Sequence, residues 1–232
     1  MIMRTTSQPS PRTRDAGTRK LWLVLECAAL FLGVPAALAA GWIRMWVIPL
    51  LVVMALGCGL TLRWCHQVRL RDLFRRPIPA GEWRRILLIY GMAVPGLLAL
   101  LWWIKPGALF SLMLDHTALW LLVMVLYPVV SVIPQELIYR AFFFERYRPL
   151  FGYGLGLPLV SAGVFAFGHL VFQNWPAVVL TGIGGWLFGL TYRRTSSLLL
   201  VSVEHALHGW AIFTLGYGEF FFDGTLRLAR GG

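Results

Sequence analysis

Ala118-Leu119-Trp120-Leu121-Leu122-Val123-Met124-Val125-Leu126-Tyr127-Pro128-Val129-Val130-Ser131-Val132-Ile133-Pro134 runs without one charged side chain. An α-helix rises about 1.5 Å per residue, so about 20 mostly apolar residues cross the roughly 30 Å hydrocarbon layer of a bilayer. Followed to 118–144, this run predicts a spanning helix, long enough to tilt strongly or to extend beyond the bilayer. Further apolar runs lie near 21–40, 46–63, 86–104, 155–174, 176–191 and 197–217, the sixth span being short. The expected fold is all-α: a polytopic integral membrane helical bundle of about seven transmembrane helices.

Composition agrees. Of 232 residues, 58% are hydrophobic and only 13% charged, which excludes an ordinary soluble domain and general disorder. Cys27, Cys58 and Cys65 are an odd set, too few for a disulfide scaffold, and two of them lie in apolar runs where a small packing residue is expected. Residues 1–20 read as a polar basic N-terminal tail, 21–217 as the transmembrane domain and 218–232 as a C-terminal tail. The tail resembles a signal-peptide n-region, but the following apolar run continues without a distinct cleavage site, so a retained first helix is expected. No fixed-period repeat is present.

The net charge of +11 would point to nucleic acid in a soluble protein. Here the basic residues gather in the gaps between apolar runs, as the positive-inside rule requires of cytoplasmic loops, so no nucleic-acid partner is expected. The densest loop holds Arg63, Arg69, Arg71, Arg75, Arg76, Arg84 and Arg85. With the N-terminus inside, seven crossings leave only Arg44, Lys105, Arg227 and Arg230 outside. The expected location is the cell (inner) membrane, multi-pass, with a cytoplasmic N-terminus.

An ionisable side chain in a span costs about 2.5–3.5 kcal/mol on insertion scales, so those present need partners and are functional candidates. Glu26 stands alone in the first span and reads as an interhelical hydrogen-bonding group. Glu136 and Arg140, four apart in the fourth, share a helix face and can pair. Pro134 removes a backbone donor beside them, and a kink there would open space for water near the carboxylate. The fifth span carries His169 after Gly168; the seventh carries Glu204, His205 and His208, the two histidines three apart and neighbours on one face. At about 1.5 Å per residue, Glu136 lies roughly 15 Å from Arg146, His205 about 16 Å from Arg194, and His169 about 21 Å from the inner start of its span. The three depths are similar, as a shared site requires.

A carboxylate beside imidazoles suits general-base activation of water, with histidine, arginine or an amide stabilising the oxyanion that follows. That chemistry is peptide-bond hydrolysis and needs no cofactor. The same side chains supply enough ligands for zinc, although no H-E-x-x-H is present. Ser131, Ser161 and Ser202 are hydroxyl candidates, but none sits in a Gly-x-Ser-x-Gly turn. Each polar group also has a structural reading: a self-neutralised pair, a hydrogen-bonded core histidine, or glue between helices.

The ordered segments resemble the motifs of the CPBP family (CAAX protease and bacteriocin-processing, also called Abi) of intramembrane glutamic endopeptidases. E-E-x-x-x-R is matched by Gln135-Glu136-Leu137-Ile138-Tyr139-Arg140, F-x-x-x-H by Phe165 to His169, and H-x-x-x-N or H-x-x-x-D by His205 to Gly209, all within 130–217. The resemblance implies an all-helical membrane protease. Glu136 would be the base, His169 would assist the water, His205 would stabilise the oxyanion and Arg140 would orient the carboxylate. Two positions depart from the motifs. Gln135 replaces the glutamate often assigned as base and cannot accept a proton, and Gly209 replaces the asparagine donor, for which His208 or Gln135 are candidate substitutes. The implied partner is a membrane-associated protein or peptide: a prenylated C-terminal peptide, a leader peptide or a sorting tail. The alternatives are a catalytically degenerate binding or immunity protein, and a zinc-dependent protease.

Overall fold

A computed structural model describes residues 11–43 and 46–221, and among them there are helices and turns but no strand. The long helices are α1 (Gly17–Ala39), α2 (Val47–Cys65), α3 (Ala80–Ile104), α4 (Thr117–Phe151), α5 (Gly156–Phe172), α6 (Trp175–Thr195) and α7 (Leu198–Leu215). They coincide one for one with the seven apolar runs. Among the described residues, α1, α2, α3, α4 and α7 are long and apolar enough to cross a membrane by length and composition. α5 is shorter, and α6 ends in Arg193 and Arg194. The helix that carries α1 already begins at Pro11, inside the segment read as a tail. Proline suits a first helical position because its missing N–H has no intrahelical acceptor. The tail before it and most of the C-terminal tail lie outside the described residues.

The outer surface is apolar, and its tryptophans are banded. Exposed Trp22, Trp64 and Trp83 sit where α1, α2 and α3 meet the basic loop side, while Trp42, Trp46, Trp102, Trp103 and Trp175 sit at the opposite helix ends. Indole favours the water–hydrocarbon boundary, so the two bands mark a membrane slab.

α4 positions the site, and its prolines shape it. Its helix opens into π turns at Pro128–Val132 and Leu137–Phe142, on either side of Gln135 and Glu136. Proline has no N–H for the carbonyl four residues back. The Met124 carbonyl freed by Pro128 accepts the Trp210 indole N–H from α7 at 3.0 Å. With Trp120 donating to Thr214 at 3.1 Å, this ties α4 to α7. Such bonds contribute on the order of 1 kcal/mol each inside a bilayer.

α5 and α6 pack closest. A Cβ on Gly185 would stand 3.0 Å from Phe165, and one on Gly189 3.0 Å from Pro158, so glycine is what lets α6 approach α5. The main core gathers Phe31 of α1, Leu62 of α2, Phe143 and Tyr147 of α4, Phe188 of α6 and Val201 of α7. Glu26 is not alone in that core. It takes two bonds from Arg146 (2.9 and 2.6 Å) and one from the Tyr147 hydroxyl (3.0 Å), so α1 is joined to α4 by an ion pair. The group is interhelical, as read, but its partner is an arginine near the C-terminal end of α4. Cys27 and Cys58 are buried and Cys65 exposed, all as free thiols.

Candidate active site

Glu136 and Arg140 are fully buried, with Arg140 Nε 3.3 Å from Glu136 Oε2. The pairing expected from their four-residue spacing is present. The guanidinium is also held at the Ser161 hydroxyl (3.0 Å), which itself donates to the Tyr139 carbonyl at 2.7 Å, and it lies 5.0 Å from the Phe165 ring centre. The second carboxylate oxygen, Oε1, lies 2.7 Å from Nδ1 of His205. One glutamate thus joins α4 to α7 through an imidazole and is neutralised by its own helix.

The histidines follow a common rule. Nδ1 of His169 lies 2.8 Å from the Phe165 carbonyl, and Nδ1 of His208 lies 2.8 Å from the Glu204 carbonyl. A carbonyl oxygen only accepts, so in each ring Nδ1 carries the proton and Nε2 presents a lone pair. A carboxylate imposes the same tautomer on His205. Phe165 contacts two of the three rings, at 4.6 Å from His169 and 5.7 Å from His205, and Phe188 stacks on His205 at 4.6 Å.

These imidazoles line a cavity of about 680 Å³, together with Gln135, Tyr127 and Gly209. Its walls are otherwise largely apolar side chains from α3, α4 and α6, such as Leu97, Leu126 and Ile183. The structure therefore brings together at one space Gln135, His169, His205, His208 and Gly209 of the residues named from sequence. Glu136 and Arg140 stand outside it, behind His205. Space opens at the Pro134 distortion beside Gln135 and Ser131, not beside the Glu136 carboxylate as expected, because the π turns rotate that carboxylate toward Arg140 and α7. Gln135 donates to the Ser131 hydroxyl at 2.7 Å, which ties its amide to its own helix.

Among the described residues no group of three or more His, Cys, Asp or Glu is arranged to hold a metal ion. The three histidines converge on the cavity without forming a chelating set. Glu204, equally buried, points elsewhere: it pairs with Arg85 of α3 at 3.3 Å, and Arg85 also bonds Glu82 and Thr191. Sequence reading missed three participants. Ser161 was weighed only as a nucleophile, Phe188 has no motif, and Tyr127 lies eight positions before the first motif, with only its polar hydroxyl in an apolar run to single it out.

The histidines of the second and third motifs thus lie around one cavity, with the carboxylate of the first behind His205. Residues 116–211 match the family model of the type II CAAX prenyl endopeptidase Rce1-like proteins. This is the CAAX protease family that the motifs indicated. The matched span contains all three motifs and Tyr127, and it runs from the start of α4 into α7. The match, together with five helices long and apolar enough to cross a membrane among the described residues, supports a multi-pass membrane protein. Comparison with curated proteins and with solved structures returned no match.

Proposed function

We propose that the protein is an intramembrane endopeptidase that hydrolyses a peptide bond of a membrane-associated protein or peptide. The observation that carries this is the Glu136–His205 contact of 2.7 Å, with the carboxylate buried and the imidazole on the cavity. In this reading His205 Nε2 takes a proton from water, and the Glu136 carboxylate holds the ring in the required tautomer and stabilises the imidazolium that forms. The hydroxide oxygen bonds the scissile carbonyl carbon. When the C–N bond breaks, His205 returns the proton to the leaving amine. His169, with Nε2 on the same cavity, accepts the water's second proton as a hydrogen bond and fixes its direction. These roles differ from the sequence reading, in which Glu136 met the water directly and His205 donated to the oxyanion. A neutral His205 with its proton on the Glu136 side has none to donate toward the cavity.

The matched family name points to a prenylated C-terminal sequence as substrate, and the apolar cavity walls suit an aliphatic chain or a hydrophobic peptide entering from lipid. The basic loop between α2 and α3 supports a cytoplasmic N-terminus in a cell membrane. The experiment is cleavage by purified protein in lipid nanodiscs of a quenched fluorescent peptide ending in a farnesylated CAAX sequence, beside unlipidated transmembrane peptides. Wild type is expected to cut at least one, and His205→Ala and His169→Ala to lose about 10²–10⁴ in rate. Equal cleavage by all three would refute this assignment of the histidines, and no cleavage by folded wild type would leave only a binding protein.

A further inference from the structure

A tetrahedral intermediate carries a full negative charge on oxygen, and an active site needs an N–H or O–H aimed at it. The cavity's polar groups leave few donors. His169, His205 and His208 present Nε2 as acceptors, one of the two Gln135 amide N–H groups is held by Ser131, and the Thr181 hydroxyl donates to the Ala177 carbonyl at 2.6 Å. Tyr127 lines the cavity, and its hydroxyl has no hydrogen-bond partner among the described residues. Its ring faces His205 edge-on, with centroids 6.0 Å apart, and is braced on its other side by Phe213 at 5.2 Å.

Gly209 is what admits that ring. A Cβ at 209 would stand 2.5 Å from the Tyr127 hydroxyl oxygen and 2.7 Å from the carbon that bears it. The phenol therefore fills the volume that a side chain at position 209, four residues after His205, would occupy. A hydroxyl from α4 stands where the third motif carries a side chain of its own.

We propose that Tyr127 is a catalytic residue, whose hydroxyl donates the hydrogen bond that holds the oxyanion; this rests on the endopeptidase reading above. As water oxygen bonds the carbonyl carbon, its proton passes to His205 and the C=O π pair moves onto oxygen. The Tyr127 O–H stays covalently intact and is a phenol, a stronger donor than an aliphatic hydroxyl. Collapse re-forms C=O, expels the amine with the His205 proton, and releases the tyrosine unchanged.

The test is the nanodisc cleavage assay with Tyr127→Phe, Tyr127→Ala, Gly209→Asn and the double variant Tyr127→Ala/Gly209→Asn. Tyr127→Phe is expected to lower kcat about 10²–10³-fold, the usual loss for one oxyanion donor, with KM and melting temperature little changed. Gly209→Asn is expected to lose activity by collision with the ring. The double variant is expected to regain at least tenfold over Tyr127→Ala, because an amide then occupies the vacated space. Wild-type kcat in Tyr127→Phe, a change confined to KM, a lowered melting temperature, or no gain in the double variant would overturn the assignment. If wild type cuts and His205→Ala does not, the endopeptidase reading survives any of these results. If folded wild type cuts none of the peptides, both fall together.

Discussion

His205 Nδ1 lies 2.7 Å from Glu136 Oε1, and the carboxylate it touches has no exposed surface. The imidazole is therefore the only part of that pair a substrate can meet. In the proposed mechanism the acid acts through it, as the buried acid of a serine-protease triad acts through its histidine.

Arg140 is the counter-charge that makes the buried carboxylate tolerable. Removing one partner of a buried ion pair costs about 3–5 kcal/mol because the other is left unpaired. Arg140→Met is expected to show that loss by thermal denaturation in detergent, and Glu136→Gln/Arg140→Met to recover more than half of it. A loss below about 1 kcal/mol in the single variant would mean that Glu136 is not held by this pairing.

The second interhelical pair should behave differently. Glu26 and Arg146 are about one-third exposed, so solvent screens them, and an exposed pair contributes at most about 1 kcal/mol. Arg146→Gln is expected to leave the cleavage rate within about twofold while lowering stability by no more than this. A large loss of rate would place α1 in the catalytic machinery.

The native cysteines report orientation. Cys65 is exposed at the end of α2, where the basic loop begins, while Cys27 and Cys58 are buried. A membrane-impermeant maleimide is expected to label Cys65 in inside-out vesicles and not in intact spheroplasts. The reverse pattern would invert the topology.

Much of this was legible in the sequence because bilayer solvation leaves a coarse signal. Seven apolar runs became seven helices, and the Glu136–Arg140 spacing gave their pairing. What composition and spacing could not supply was rotation. Each π turn in α4 shifts the helix face, so Gln135 meets the cavity and Glu136 lies behind His205, whereas an ideal helix gives no hint of that exchange. Partners on other helices were equally hidden: Arg146 for Glu26, Arg85 for Glu204 and Ser161 for Arg140 are meetings across 21 to 120 residues of sequence. Tyr127 and Gly209 are complementary in shape, and only contact between α4 and α7 reveals it.

The central claim is that Glu136, unseen by substrate, governs hydrolysis through His205. Measuring kcat for Glu136→Gln, and for Glu136→Gln/Arg140→Met so that no buried charge is left unpaired, tests it most directly. With both proteins folded, the expected result is a fall of about 10³–10⁴-fold with KM nearly constant, as when a triad acid loses its charge. Folded double variant cleaving within about tenfold of wild type would contradict it.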